Sequence, residues 1–361
     1  MFSDLCVFSC VFFLFVEFIS AQEGDRCVLE GVWTQGVCAP FDSCVSAKAA
    51  AGRGVFPKLC SYDHVTNPLV CCIGPTCPAL PRGSVNIKNT GIKAVDYCAG
   101  LADLAYPCVD TGERWSRKNM CPTDPSRKPA DGQISKGDFA HVALLGFGDY
   151  ESTKWLGMGA LISDRWVISE AFVLRVHRGG AKRVRLGGLD QDVHVDTENI
   201  YNIAFVKTHP DYISPKTYNN IGLAKLDRVV IFSKLIFPVC LHVHTGGPLP
   251  VNNLTYVYKD GLVYQKANVK VLPHAECDTI VRPFIPDGIR IDTQLCVQRS
   301  TSESALKGGW GSSLQVPNGG QVACTQRLVA VHSCLLEPVN RYVLAARVAS
   351  FVLWIESQVW P

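Results

Sequence analysis

From Asp138 onward, apolar and polar residues alternate in short runs that turn residues interrupt at roughly ten-residue spacing. The runs HVALLGF (141–147), GALIS (159–163), WVIS (166–169), RVRLGG (183–188) and ANVKVLP (267–273) predict strands. Many short strands at that spacing predict an all-β sandwich or barrel. The pattern changes at the end, where Phe351, Trp354, Ile355 and Gln358-Val359 recur at helical spacing and predict a C-terminal amphipathic helix. Ahead of this block, residues 73–128 are polar and broken by Pro and Gly. They predict a linker carrying one short helix around Ala94–Leu104. Residues 22–72 hold few apolar positions and much Gly, Pro, Asp and Ser.

Residues 1–21 contain the apolar run FSCVFFLFVEFIS, ending in the small residues Ser20-Ala21. This predicts a secretory signal peptide cleaved near Ala21, although a basic start is missing and Glu17 interrupts the run. The run is short for a membrane span, and no later segment is apolar enough to cross a bilayer. The expected product is secreted.

Composition sharpens this. Seventeen Cys point to an oxidising compartment. The formal charge of +3 becomes +5 without Asp4 and Glu17, and no Lys/Arg run stands behind it, which disfavours nucleic acid as a partner. Cys27, Cys38, Cys44, Cys60, Cys71 and Cys72 crowd a segment too poor in apolar residues to fold on a core alone, so they predict disulfide staples. Six Cys allow fifteen pairings, and the residues themselves do not choose. Another small disulfide module and a zinc site are the rival readings, zinc disfavoured because no CxxC pair stands near a suitable His and the compartment is oxidising. No metal or cofactor is expected.

The spacing of these six, closing on Cys71-Cys72, resembles the clip domain of arthropod serine proteases. That resemblance implies Cys27–Cys71, Cys38–Cys60 and Cys44–Cys72.

Lys307 to Gln315 reads KGGWGSSLQ, set between a Cys-bearing segment, IDTQLCVQ, and an apolar strand, RLVAVHS. It resembles the nucleophile loop of the chymotrypsin/trypsin-like serine proteases, where GDSGGPLQ is expected. Anchoring on Leu314-Gln315 puts Gly308 on the first Gly, Gly309 on the Asp, Trp310 on the nucleophilic Ser and Gly311 on the next Gly. GMGALISDRWVISEAFV (157–173) similarly matches CGGSLIS…WVLTAAHC, with Phe172 at the catalytic His. Gly157 and Val173 replace the Cys pair that flanks that stretch. In HPDYISPKTYNNIGLAKL (209–226), Asn220 stands at the catalytic Asp, and IFPVCL and WIESQVWP keep the register. The resemblance implies a trypsin-like double β-barrel over 129–361 with a C-terminal helix. It also implies a degenerate triad at Phe172, Asn220 and Trp310. Ser304 stands near the pocket floor where trypsin-like members carry Asp.

A shifted loop would offer Ser312 or Ser313 as nucleophile, but it breaks the Leu314-Gln315 anchor and supplies no base. None of the nine His, including His141, His177 and His332, lies in a recognisable catalytic setting.

Further pairs follow from the same resemblance: Cys277–Cys296 before the nucleophile loop, and Cys121–Cys240 tying linker to domain. Cys98 resembles a linker Cys of the snake-like clip proteases, with Cys324 as the implied partner. Cys334 sits near a family Cys whose partner has become Leu306. Cys77, Cys108 and Cys334 are left over. NLT at Asn253 is an N-glycosylation sequon, and Arg127 precedes the expected cleavage bond. The resemblance implies a secreted, catalytically inactive homologue in arthropod haemolymph cascades of melanisation or Toll signalling. It would act as cofactor, adaptor or decoy beside clip-domain proteases, prophenoloxidase or other serine protease homologues. An atypical endopeptidase and a pattern-recognition protein are the alternatives.

Overall fold

The computed structural model describes residues 21–29, 34–52, 54–61, 68–73, 90–110, 115–121, 132–134, 137–188, 197–244, 254–260, 263–299, 309–318, 325–336 and 342–361. The expected signal segment through Ser20, and Cys77, Arg127, Asn253, Ser304, Leu306, Gly308 and Cys324, lie outside the described residues, as does the Cys108 side chain. The chain divides into two compact units: Met1–Cys77 with Asp110–Trp115, and Pro78–Val109 with Ser116–Pro361.

The smaller unit holds strands β1 (Arg26–Leu29), β2 (Thr34–Pro40), β3 (Leu59–Ser61) and β4 (Leu69–Cys72), with helix α1 (Val45–Ala51). The sheet order is β1-β2-β4-β3. Among the described residues its core cluster is Cys44, Ala47 and Val70, with Phe41 and Cys72 packed on them and Cys38 and Cys71 also buried, so sulfur supplies much of what is buried. Disulfides join Cys27 to Cys71, Cys38 to Cys60 and Cys44 to Cys72, at Cα–Cα distances of 5.7, 5.8 and 5.5 Å. Each such bond contributes about 2–4 kcal/mol, which a core this small needs. The sulfurs of Cys27, Cys38 and Cys60 fall within 4.8 Å of one another. All three are spent in disulfides, so none offers a thiolate to a metal.

The larger unit is all-β apart from short helices. Strands β5 (Cys108–Asp110) and β6 (Trp115–Arg117), whose ends at Asp110 and Trp115 are assigned to the smaller unit, and β7 (Gly132–Gln133) precede the barrels in the chain. The first barrel closes in the order β10-β13-β12-β11-β8-β9. Its strands are β8 (Val142–Phe147), β9 (Lys154–Leu161), β10 (Trp166–Ser169), β11 (Arg183–Arg185), β12 (Ile200–Thr208) and β13 (Gly222–Leu226). Short β14 (Cys240–Leu241) leads into the second, built from β15 (Leu254–Asp260), β16 (Val263–Val271), β17 (Gln294–Arg299), β18 (Ser313–Pro317), β19 (Gln326–Leu335) and β20 (Tyr342–Arg347). These run β19-β18-β15-β16-β17-β20, and a β19–β20 pairing closes the ring. Closure pairs the strand edges that open sheets leave exposed. Each barrel has its own core, Leu145, Val167 and Val184 in one, Tyr258, Val297 and Val343 in the other. The expected double β-barrel is therefore present, with a C-terminal helix over Val352–Val359.

The expected linker needs correction. A helix, α2 (Lys93–Ala105), spans the predicted position, but it belongs to the core of the larger unit. Ala94, Tyr97, Cys98, Leu101, Ala102 and Ala105 recur at helical spacing and are all buried. The helix start has no cap of its own. Instead Ala94 N donates to Glu356 Oε1 of the C-terminal helix at 2.8 Å, and Lys93 Nζ to Trp360 O at 2.6 Å. The Tyr97 and Trp360 rings meet with centroids 4.9 Å apart.

Docking of α2 also decides a disulfide. Cys98 pairs with Cys240, Cα–Cα 5.2 Å, because the buried face of α2 lies against β14. This replaces the expected Cys121–Cys240 and, with it, Cys98–Cys324. Cys121 is itself disulfide-bonded. The bond from Cys98 to Cys240 still spans the Arg127 position, so a cut there leaves the fragments joined. Cys277 and Cys296 are bonded, holding helix α4 (His274–Val281) to β17.

Candidate functional site

The three triad-aligned positions sit where β10 turns into a short helix, α3 (Ala171–Arg175), just ahead of β13, and in the turn before β18. Phe172 N donates to Asn220 Oδ1 at 2.9 Å, so the first two are in direct contact. Trp310 joins Phe172 through a third ring. Its indole packs edge-on to His177 at 4.2 Å between centroids, and His177 lies 6.0 Å from Phe172 and 5.3 Å from Phe147. Trp310 is 41 % exposed, so this aromatic row opens to solvent. His177 follows α3 by two residues, and the chain turns immediately after it at Arg178 (φ 49°) and Gly180 (φ 84°). Burial lowers the His177 pKa, Arg178 adds to that, and Glu170 opposes it. Spacing in the sequence offers no sign of His177 in this place.

Below the row lies a polar layer. Glu170, Asn220 and His332 are 3 %, 3 % and 1 % exposed. Asn220 Nδ2 donates to Glu170 Oε1 at 2.9 Å and to Ser333 Oγ at 3.1 Å. The other Glu170 oxygen, Oε2, accepts from Gly311 N at 3.1 Å and faces His332 Nδ1 at 3.3 Å. A carboxylate this deep in the protein costs several kcal/mol unless partners surround it, and here they do. Motif and spacing do not single out Glu170, His332 or Ser333. The signal present in the sequence is a Glu inside the apolar stretch WVISEAFV.

Backbone bonds fix the loop carrying Trp310. Met158 N donates to Trp310 O at 2.9 Å, Ser312 N to Gly309 O at 2.8 Å, and His332 N to Ser312 O at 2.8 Å. Gly311 has φ 73°, and any Cβ there would overlap Met158 O and Ser169 Oγ, so only glycine fits. Gly309 is equally constrained. A Cβ at 309 would overlap the Tyr256 hydroxyl, which fills the space a side chain would need. Tyr256 is buried, stacks on Tyr258 at 5.8 Å, and burial holds its hydroxyl well above the usual pKa range. Ser312 and Ser313 are buried, and Ser312 Oγ lies 3.3 Å from Met158 Sδ.

Gly157 and Val173, aligned with the lost Cys pair, are neighbours in space. A Cβ at 157 would meet Val173 Cγ1 at 2.7 Å, so Val173 fills the room a disulfide would take.

Comparison with known proteins places this geometry. A protein-family model described as Trypsin matches residues 134–355. "Serine protease Hayan" of Drosophila melanogaster is 26 % identical over 252 residues, 64 % of this chain and 39 % of its own length. "Serine protease snk" of the same species is 26 % identical over 257 residues, 68 % of this chain and 57 % of its own. The chain thus spans less than two thirds of either relative. "Phenoloxidase-activating factor 1" of Holotrichia diomphalia is 24 % identical over 355 residues, covering 89 % of this chain and 88 % of its own.

Proposed function

The chain belongs to the trypsin family, and on that premise we propose that it works without catalysis, as a secreted regulator of an extracellular protease cascade. The carrying observation is the aromatic row at the cleft: Trp310 against His177, with Phe172 beside it. Acyl transfer needs a hydroxyl nucleophile, a base within hydrogen-bond reach, and a carboxylate that holds the base in the right tautomer. At the positions aligned with those groups stand an indole, a phenyl ring and an amide. His177 does not restore the base, since it faces the Trp310 ring and no hydroxyl. Loss of a triad lowers turnover by about 10⁶.

The small stapled unit resembles a clip domain, and the relatives carry serine protease and phenoloxidase-activating names. Those features support a role in arthropod innate immunity, in melanisation or Toll signalling, as cofactor, adaptor or decoy. Its partners would be clip-domain proteases, prophenoloxidase or other non-catalytic homologues. The apolar run at the start of the chain supports secretion; among the described residues no helix is long and apolar enough to cross a membrane.

Purified protein, treated with a trypsin-like protease that is then removed, should hydrolyse no Arg, Lys or aromatic ester and take up no fluorophosphonate label. Inhibitor-sensitive turnover, or a stoichiometric label on any serine, would overturn the reading in favour of an atypical endopeptidase.

A further inference from the structure

Glu170 occupies the residue before α3, where a short acceptor such as Ser, Thr, Asp or Asn ordinarily caps the helix start. It makes no such bond. Asn220 does that work from another segment, accepting from Phe172 N at 2.9 Å. Freed from its own helix, the Glu170 carboxylate crosses to Gly311 N, the amide that follows Trp310. Asn220 takes part in both arrangements at once, accepting from Phe172 and donating to Glu170. An ionised Asp could not do this, because it accepts and never donates, whereas the Asn amide does both. The Asn at the aligned catalytic position is therefore the chemical complement of a buried Glu170.

The trypsin-like resemblance implies an Asp beside the nucleophile that meets the amine released by cleavage and so orders the loop. At the matching position Gly309 has no carboxylate and no room for one, with the Tyr256 hydroxyl against it. We propose that Glu170 is the positioning residue that orders this loop instead. Its carboxylate, reaching from the first barrel, holds the loop through Gly311 and presents Trp310 whether or not the chain has been cut ahead of the domain. The inference concerns loop order and stands apart from whether the chain is catalytic.

Hydrogen exchange on the full chain tests it, read on a peptide covering 309–315, before and after treatment with a trypsin-like protease. Wild type should protect this peptide equally in both forms. Glu170→Ala should speed its exchange about tenfold or more, with the barrel strands unchanged, since a charge-assisted bond to a backbone amide is lost. Glu170→Gln keeps the size and one acceptor oxygen, so it should lie between the two. It also serves if the alanine variant does not fold. Protection that is low in the uncut protein and rises on cleavage would overturn the proposal, as would variants that leave the 309–315 peptide as protected as wild type.

Discussion

At the mouth of the cleft, Trp310, His177 and Phe172 form a row that is open to water and held mainly by ring contacts. In the layer beneath, Glu170, Asn220, His332 and Ser333 are buried and joined by directional hydrogen bonds. The difference is one of dependence. An exposed ring can replace another side chain at little cost to the fold, because solvent satisfies what the ring does not. A buried polar group cannot change alone, because the partner it abandons stays desolvated and unpaired. Hence a ring at the surface can change singly, whereas below it a Glu at 170 and an Asn at 220 stand together.

Three substitutions put this contrast to the test, in decreasing order of expected cost. Gly309→Asp, which restores the family's carboxylate, forces a side chain onto Tyr256 and should cost about 4 kcal/mol or prevent folding. Tyr256→Ala in the same chain should recover part of that loss in a double-mutant cycle read by urea denaturation. Strict additivity of the two would show that they do not share the space.

Asn220→Asp comes next. It sets a second carboxylate where the amide donates to Glu170 at 2.9 Å, leaving two buried like charges in contact. The expected cost at neutral pH is about 2–4 kcal/mol. Asn220→Asp with Glu170→Ala should be more stable than Asn220→Asp alone. An Asn220→Asp protein as stable as wild type would undo the coupling. For the same reason, restoring His at 172, Asp at 220 and Ser at 310 together should still yield almost no activity.

The smallest effect lies farther from the cleft. Burial pushes His141 from 6.5 down to about 4, with Gln315 opposing. The unfolded chain then takes up this proton before the folded one does. Stability from this group is intact above about pH 6.5 and is lost as the pH falls through 4, by at most about 1.4 kcal/mol per pH unit. His141→Gln should flatten the fall in urea midpoint between pH 7 and pH 4.5. Parallel profiles for variant and wild type would remove His141 as a cause.

Much of the fold is legible in the residues alone. Strand periodicity locates WVIS and HVALLGF, helical spacing locates the C-terminal helix, and the matched motifs locate Phe172, Asn220 and Trp310. Those signals are short-range, since an alternating run or a fixed spacing reports on neighbours along the chain. The corrections all concern partners that lie far apart. Cys98 and Cys240 are separated by 142 residues and meet because α2 docks on β14, so a pairing inferred from motif position points to the wrong Cys. The segment that reads as a linker lacks a strong apolar run, yet its alanines and one tyrosine fit a groove that only the assembled barrels and C-terminal helix create.

The order of elements and the need for staples in the small unit are thus legible in residue type and spacing alone, whereas its pairings and the triad-aligned positions come from the family resemblance. The burial of a carboxylate at Glu170, its bond to Gly311 across 141 residues, the Tyr256 hydroxyl against Gly309 and the return of His177 into the cleft are decided only by tertiary structure. Closing two barrels brings together segments whose local patterns carry no mark of each other. At such junctions an unpaired buried charge is costly enough that the partners, once assembled, dictate one another's chemistry.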